Sequence, residues 1–183
     1  GGVFNLEYDL MQNVVKEIFP DGGSIKYTYD EYNNIEKQEF QNGVIYHYEY
    51  DLNGNRTSET DPLGNKTKFN YDERGRLLSY EDALGAVTTY TYTKNTLSIT
   101  DDMGNVRKLK YDELGKLIED IGIDGIKKEY EYNELGKVTL VKVNGKDKVR
   151  YKCHKGGLVH KAFYTDKRYE IFSYDENLNL IKR

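Results

Sequence analysis

A tyrosine that is in most cases followed by aspartate recurs along this chain, and its spacing constrains the fold more than any other feature. Successive anchors lie 21 residues apart in the first half of the chain, and the later spacings are 19, 21, 19 and 23. A fixed period over the whole length indicates a repeat architecture, in which each unit is one supersecondary element that needs its neighbours. The nine anchors are Tyr8, Tyr29, Tyr50, Tyr71, Tyr92, Tyr111, Tyr132, Tyr151 and Tyr174.

The residues before each anchor alternate in character. Thr67, Phe69 and Tyr71 alternate with three polar residues, and the other units repeat this pattern. The three polar residues are Lys66, Lys68 and Asn70. Alternation with a period of two is typical of a half-buried β-strand. We therefore predict a sheet with one aromatic face and one face of Lys, Thr, Glu and Asn.

Tight turns are predicted where an aspartate follows the strand and a glycine stands three positions later. The aspartate can accept a hydrogen bond from a backbone N–H two residues on, and glycine or asparagine tolerates positive φ. We expect altered turns at Thr96 and Leu178, and two-residue hairpin turns at Asn42-Gly43 and Asn144-Gly145. The regular hairpin turns are predicted at Asp30–Asn33, Asp51–Gly54, Asp72–Gly75 and Asp112–Gly115.

Each unit thus consists of two short strands and two turns, with no room for a helix. The spacings differ by even numbers, so the aromatic face is preserved along the chain, because a one-residue slip would invert it. We predict an all-β fold: a single array of antiparallel β-hairpins over residues 1–183 that forms a curved sheet and is a piece of a longer protein. The strands between successive tyrosines place equivalent apolar residues beside them: Ile35, Leu77, Leu117, Val138 and Leu180.

Composition and charge exclude several partners. The net charge is −4 with acidic and basic residues interspersed, so no basic stripe favours nucleic acid. No apolar run approaches the ~20 residues of a membrane span. The single cysteine, Cys153, excludes an internal disulfide.

Cys153-His154 and His160 are the residues that invite a metal or catalytic interpretation. Only three histidines and one cysteine are present, which is too few for a four-ligand cluster of this kind. Nothing in the sequence orients a base for Cys153, and Lys152 and Lys155 are explained as solvated strand residues. We predict no catalytic residues, no metal site, no cofactor and no enzymatic activity.

The residues that we expect to matter are therefore structural. The aromatic face has two interpretations: rings that pack on neighbouring strands, or a surface that stacks sugars or holds a partly unfolded cargo. The residues predicted to hold the repeat together are Tyr29, Asp30, Tyr50, Asp51, Gly54, Tyr71, Asp72, Gly75, Tyr111, Asp112, Gly115, Tyr132, Gly136, Tyr174 and Asp175.

These repeats resemble the RHS or YD-repeat family, whose motif is similar to Gly-x-x-x-x-Tyr-x-Tyr-Asp-x-x-Gly-Arg-Leu. Residues 64–77 read GNKTKFNYDERGRL and residues 104–117 read GNVRKLKYDELGKL. The resemblance covers residues 5–183 and weakens where Thr93, Asn133 and Lys152 replace the aspartate. Members include bacterial polymorphic toxins, the B and C subunits of insecticidal toxin complexes, and animal teneurins.

The resemblance implies a strip of hairpins that spirals into a hollow shell, in a secreted or cell-surface protein. In the toxin members the shell encloses a C-terminal effector of the same parent chain, and a segment with two Asp-Pro-x-Gly-Leu pieces ends in self-cleavage. This chain has one such piece, residues 61–64, followed by Asn65. Autoproteolysis is therefore not carried over.

The sequence thus predicts a non-enzymatic structural segment of a shell that carries a toxin effector in bacterial competition or host attack. The alternative is a cell-surface module that contacts glycans or a partner protein through its tyrosine-rich strands. We also expect self-association through the edge strands near Tyr8 and Tyr174, since unpaired backbone groups template pairing with another chain.

Overall fold

The computed structural model describes residues 3–154 and 156–183, and every regular element in these ranges is a β-strand. The expectation for Lys155 lies outside the described residues. The prediction of an all-β array of antiparallel hairpins is confirmed. The strands are β1 (Asn5–Tyr8), β2 (Val14–Ile18), β3 (Ser24–Tyr29), β4 (Ile35–Phe40), β5 (Ile45–Tyr50), β6 (Arg56–Thr60), β7 (Lys66–Tyr71), β8 (Leu77–Glu81), β9 (Val87–Tyr92), β10 (Thr96–Thr100), β11 (Val106–Tyr111), β12 (Leu117–Ile121), β13 (Lys127–Tyr132), β14 (Val138–Val143), β15 (Lys146–Cys153), β16 (Val159–Tyr164), β17 (Tyr169–Ile171), β18 (Ser173–Tyr174) and β19 (Leu180–Lys182).

The topology is a meander. From β1 to β17 each strand pairs with the next strand in the chain, and the pairing is antiparallel. Strands β18 and β19 form a separate antiparallel pair. The chain therefore alternates between two sets of turns, one following the odd-numbered strands from β1 to β15 and one following the even-numbered strands.

The chain divides into two compact units, and the boundary lies within β9, between Thr89 and Tyr90. In the first unit the side chain most shielded from solvent is polar, since Ser58 is 3% exposed. In the second unit the buried apolar side chains are those of Leu140, Val149 and Ala162. Each unit thus has little enclosed interior, as expected of a single layer of strands with so few apolar residues.

The aromatic face follows the predicted alternation. In β7, Thr67, Phe69 and Tyr71 are half-buried, while Lys66, Lys68 and Asn70 are exposed. Phe69 lies opposite Tyr80 of β8, with their ring centroids 5.6 Å apart. Cross-strand aromatic pairs of this kind contribute roughly 0.2–1 kcal/mol each.

The opposite face carries ion pairs between strands. Lys66 Nζ lies 2.8 Å from Glu49 Oε2, and Lys68 Nζ lies 2.8 Å from Glu81 Oε1. Glu49 also accepts a hydrogen bond of 2.7 Å from the hydroxyl of the buried Ser58. Exposed pairs of this type stabilise a fold only modestly, so this face contributes solubility and register more than stability.

One of the two predicted two-residue turns is confirmed and the other is wrong. Asn144 and Gly145 both have positive φ (50° and 75°), and Val143 pairs directly with Lys146. At Asn42-Gly43 only the glycine has positive φ (82°). There the Phe40 amide donates to the Val44 carbonyl (2.9 Å), so the turn has the longer form found after the aspartates. The reason is that β4 already ends at Phe40, which leaves the turn two residues longer.

The altered turn expected at Thr96 is confirmed, and the one expected at Leu178 is wrong. Three residues separate β9 from β10, where five separate β5 from β6, which accounts for the spacing of 19 from Tyr92 to Tyr111. Leu178 adopts φ 65° and donates to the Asp175 carbonyl (3.0 Å) as a glycine would. The Asp175 side chain accepts from the amides of Asn177 and Asn179, and these bonds hold the turn despite the strained φ.

The turn after β15 lies at His154–Gly157, so Cys153 stands where tyrosine stands in the other repeats. The expected anchor Tyr151 is two residues earlier. Counted from Tyr132 through Cys153 to Tyr174, the period is 21 at both steps. The irregular spacings at this end of the chain therefore reflect a substitution at the anchor and not an insertion.

Candidate functional surface: the tyrosine–aspartate turns

The four regular turns predicted from the sequence are present, and each is held by its aspartate. At Asp51 the backbone amide donates to the Asn55 carbonyl (2.9 Å), and the Gly54 amide donates to the Asp51 carbonyl (3.0 Å). Asp51 Oδ1 accepts from the amides of Asn53 and Asn55, both at 2.9 Å. The carboxylate thus satisfies two backbone donors that the strand ladder does not reach.

An asparagine four residues after the aspartate completes many of these turns, and the sequence analysis missed it. Asn55 Nδ2 donates to Asp51 Oδ2 (2.9 Å), so both carboxylate oxygens are engaged. The signal was present as the pattern Asp-x-x-x-Asn. It occurs in the pairs Asp9 and Asn13, Asp30 and Asn34, Asp51 and Asn55, Asp61 and Asn65, Asp101 and Asn105, and Asp175 and Asn179.

The capped carboxylates favour the charged form. Hydrogen bonds from the Asn55 side chain and then from its backbone amide lower the pKa of Asp51 below its ordinary value. At Asp72, the Arg76 amide is the largest cause of a similarly lowered pKa. These turns are therefore strongest when the aspartates are ionised.

Each of these turns is followed by a β-bulge on the strand that leaves it. Tyr29 lies opposite Ile35 and Thr28 lies opposite Lys37, so Glu36 is the extra residue on β4. A bulge of this kind bends the strand and re-aims side chains.

The apolar residues predicted to lie beside the tyrosines are confirmed as their cross-strand partners. The pairs are Tyr29 and Ile35, Tyr71 and Leu77, Tyr111 and Leu117, Tyr132 and Val138, and Tyr174 and Leu180, whereas Arg56 stands opposite Tyr50.

The tyrosine hydroxyl joins one turn to the turn before it. Tyr50 OH donates to the carbonyl of Ile35, the first residue of the strand that leaves the preceding tyrosine–aspartate turn. Five tyrosines of the described chain make this bond, each to the backbone carbonyl of the residue 15 positions earlier. The pairs are Tyr29 and Val14 (2.7 Å), Tyr50 and Ile35 (3.0 Å), Tyr71 and Arg56 (3.0 Å), Tyr132 and Leu117 (2.5 Å), and Tyr174 and Val159 (2.8 Å).

Side chains of successive turns also touch. Asn13 Nδ2 donates to Asn33 Oδ1 (3.1 Å), which joins the first two turns of the first unit. A Cβ atom placed on Gly75, whose φ is 74°, would lie 3.4 Å from Asn55 Oδ1 of the preceding turn. The glycine therefore answers two demands: a left-handed backbone and close approach of a neighbouring repeat.

The other predicted structural residues lie in equivalent places. Asp112 Oδ1 accepts from the amides of Leu114 and Lys116, and Gly115 has φ 77°. Gly136 has φ 73° in a turn whose first residue is Asn133, which accepts one bond from the Lys137 amide (3.0 Å). The structure thus places the predicted set along one series of turns.

Cys153, His154 and His160 meet at the β15–β16 hairpin without forming a ligand cluster. Among the described residues, no group of three or more His, Cys, Asp or Glu side chains is placed to hold a metal ion. The two imidazole rings stack, with centroids 4.4 Å apart. No helix in the described part of the chain has the length and hydrophobicity that crossing a bilayer requires.

These features define a class of protein: a repeat protein made of a meander of short strands, in which tyrosine hydroxyls bond many of the turns to the turn before. A family model described as Teneurin YD-shell matches residues 3–182. The chain belongs to this YD-shell family, which is a family of structural shell domains. Among curated proteins none matches the chain.

Two solved structures have the same fold. The crystal structure of TcdB2-TccC3-Cdc42 matches 96% of this chain and 12% of its own, with 14% identity and a TM-score of 0.73. The Tc holotoxin pore of Photorhabdus luminescens, mutated in TccC3, matches 97% of this chain and 13% of its own, with 16% identity and a TM-score of 0.52. The chain thus spans about an eighth of the length of these toxin-complex chains.

Proposed function

We propose that this chain is a non-enzymatic wall segment of a YD-repeat shell that encloses a toxin effector at the C-terminal end of the same parent chain. The parent would be exported and act in bacterial competition or host attack. The nine repeats over residues 1–183 would be one array within that longer protein. Support comes from the family and from the likeness to toxin-complex structures, of which the chain covers 12% and 13%.

One observation carries the proposal: the same chemistry recurs along the chain instead of concentrating at one place. The hydroxyl of Tyr29 and that of Tyr71 make the same bond to the preceding turn, as do their counterparts in the second unit. The aspartates are occupied by backbone and asparagine donors, so they are not free to act as an acid or base. Repetition of this type suits a wall, whereas catalysis needs one distinct constellation.

The predicted structural residues have separate roles in this wall. The aspartates, such as Asp51, cap the turns, and the glycines, such as Gly54, allow the left-handed backbone. The tyrosines, such as Tyr50, tie successive repeats together through their hydroxyls. We propose that loss of the ties loosens the wall, whereas loss of other tyrosine hydroxyls does not.

The parent protein tests this proposal through protease protection of its C-terminal segment. We expect the segment to be cleaved far more slowly while attached to the intact repeats than after the repeats are unfolded in urea. The double substitution Tyr50→Phe with Tyr71→Phe should speed cleavage. Tyr46→Phe is the matched control on the same strand, because the Tyr46 ring packs edge-on against Phe40 and no hydroxyl bond ties it to a preceding turn. Equal cleavage with folded and unfolded repeats would contradict enclosure.

The binding-module alternative uses the aromatic face directly. The hydroxyls of Tyr29 and Tyr50 are bonded to backbone carbonyls, and Tyr48 OH donates to Gln38 Oε1 (3.0 Å), so these groups are engaged within the sheet. This favours packing over sugar stacking. Calorimetric titration with soluble oligosaccharides decides between them, since saturable binding that is lost in Tyr46→Ala would favour the alternative.

Self-association through terminal strands is a separate part of the proposal. All four residues of β1 are exposed, including Leu6 (37%) and Tyr8 (52%). Exposed apolar strand residues favour pairing with another chain. Sedimentation velocity over a wide concentration range should reveal dimers or larger species, and a single monomeric species throughout would contradict this part.

A further inference from the structure

Two of the three histidines of the chain meet in one hairpin. His154 is the first residue of the turn after β15, and His160 lies in β16. Their ring centroids are 4.4 Å apart and their planes are inclined by 32°. The backbone turn around them is intact, since the His154 amide donates to the Leu158 carbonyl (2.8 Å).

His160 occupies the bulge of this hairpin. Lys152 pairs with Lys161 and Cys153 pairs with Val159, so His160 is the extra residue between them. Its Nδ1 is buried and has no hydrogen-bond partner among the described residues. In the neutral ring this nitrogen is an unused acceptor, but in the imidazolium it would be a buried N–H without an acceptor, which is considerably more costly.

The charges around the pair also oppose protonation. Lys152 of β15 and Lys161 of β16 flank His160, and burial, followed by His154 and these two lysines, lowers the pKa of the His160 imidazole. On β17, Glu170 lies opposite Ala162, but its carboxylate accepts from Tyr164 OH (2.9 Å) and from the Arg183 guanidinium.

The remaining titratable neighbours among the described residues are Cys153 and two tyrosines. Cys153 pairs with Val159, Tyr151 of β15 lies opposite Ala162, and Tyr174 OH donates to the Val159 carbonyl (2.8 Å). The same surroundings argue against a metal ion here, because the stacked rings and neighbouring ammonium groups would both oppose a bound cation.

We propose that the His154–His160 pair is an acid-operated seam: in weakly acidic solution His160 becomes charged, with a buried Nδ1–H that has no acceptor beside the His154 ring and two lysines, and the end of the β15–β16 hairpin opens. Opening would also loosen the segment from β17 to β19, which is bonded to β16 at this end of the hairpin. The Val159 carbonyl holds the Tyr174 hydroxyl, and the His160 carbonyl accepts from the Phe172 amide (3.0 Å). The segment from β17 to β19 would therefore be released together with the seam.

The direction of the pH effect follows from the lowered pKa of His160. A group that binds its proton less tightly in the folded state stabilises the fold fully above its unfolded pKa, which is about 6.5 for histidine. That stability is lost as the pH falls through the lowered folded value. The seam is thus closed at neutral pH and opens on acidification.

Amide hydrogen exchange of the full chain at about pH 7 and about pH 5, corrected for intrinsic rates, tests this proposal. We expect protection in β15 and β16 to fall about tenfold more than protection in β3 and β4. His160→Phe, which keeps an aromatic ring without a titratable group, should abolish the difference. His47→Phe on the exposed side of β5 is the matched control and should preserve it.

The proposal would be overturned if acid lowered protection equally in the β15–β16 and β3–β4 hairpins. It would also be overturned if His160→Phe showed the same loss of protection in β15 and β16 as the unmodified chain. A second measurement needs no variant: NMR titration of the histidine ring protons of the unmodified chain. We expect His160 to titrate below the ordinary histidine value of about 6.5. Titration of His160 at or above about 6.5 would overturn the proposal even if His160→Phe failed to fold.

Discussion

The turn between Asp51 and Asn55 and the turn between His154 and Leu158 have the same backbone hydrogen bonds at their described residues, but different side chains hold them. The first and fifth residues are bonded in both, at 2.9 Å and 2.8 Å, and Gly54 and Gly157 have φ of 79° and 86°. At the first turn a carboxylate accepts two amides and an asparagine side chain. At the second turn a histidine occupies the aspartate position and stacks on another histidine.

The difference teaches that the glycine and the strand register specify the turn, whereas the aspartate strengthens it. A turn without its aspartate keeps the same bonds between backbone groups. A turn without glycine also survives at Leu178, where Asp175 caps it. Either the glycine or the aspartate is enough to hold the backbone hydrogen bonds of the turn, and most repeats have both residues.

The largest effect is expected from a β-branched residue at the glycine. Gly75→Val should destabilise the fold by about 1–3 kcal/mol, because it places a branched side chain at positive φ. Gly157→Val should cost as much, since the backbone is the same and its Cβ would lie 3.3 Å from Lys137. Urea unfolding measures both, with Arg74→Ala as a control expected within about 0.5 kcal/mol of the parent. Equal midpoints for Gly75→Val and Arg74→Ala would contradict the turn assignment.

The next effect concerns the cap. Asp51→Ala removes three hydrogen bonds that the carboxylate accepts, whereas Asn133→Ala removes one bond, from the Lys137 amide. We expect Asp51→Ala to lower the urea midpoint less than Gly75→Val and clearly more than Asn133→Ala. If Asn133→Ala were the more harmful, the aspartate cap would not be what strengthens these turns.

A smaller effect is expected from single tyrosine hydroxyls. Tyr132→Phe removes the bond to the Leu117 carbonyl and should cost about 0.5–1.5 kcal/mol. Tyr130→Phe on the same strand is the control, because its ring pairs with Val141 and no bond ties its hydroxyl to a preceding turn. Thermal melts of the two variants should differ, and identical melting temperatures would mean that the hydroxyl tie contributes nothing.

The smallest effect per turn should come from acid. The pKa of Asp51 is lowered mainly by the Asn55 side chain, and that of Asp30 mainly by the Asn34 side chain, so their stabilisation is present above the unfolded value and lost as the pH falls through the lowered one. Hydrogen exchange measured below about pH 4 should show loss of protection at these turns before the turn at Asn133, whose first side chain is an amide and not a carboxylate. Uniform weakening of all turns would contradict the role of the caps.

Much of this fold could be predicted from the sequence because its signals are local. The alternation in β7 and the pattern from Asp72 to Gly75 lie within a few residues, and both predictions hold. Turn chemistry that depends on longer context was missed. The Asn42-Gly43 turn is longer than its dipeptide suggests, because the position of Phe40 at the end of β4 sets its length.

The ties between repeats could not be read from the sequence. Tyr50 reaches the Ile35 carbonyl only because strand register and the bulge bring them together, and neither is visible in local spacing. The position of Cys153 at the end of β15 was also missed, because the sequence search followed tyrosines and a cysteine stands at this anchor. The stacking of His154 on His160 likewise depends on the bulge in β16.

The central claim is that adjacent repeats are tied through tyrosine hydroxyls, and a double-mutant cycle tests it most directly. Tyr50 and Tyr71 belong to adjacent repeats that share Arg56, which lies opposite Tyr50 and accepts the Tyr71 hydroxyl at its carbonyl. Tyr29 and Tyr71 are two repeats apart. We expect the changes in the free energy of unfolding caused by Tyr29→Phe and Tyr71→Phe to add within about 0.3–0.5 kcal/mol. The changes caused by Tyr50→Phe and Tyr71→Phe should deviate from additivity by more than this. Simple additivity in both pairs would contradict the account.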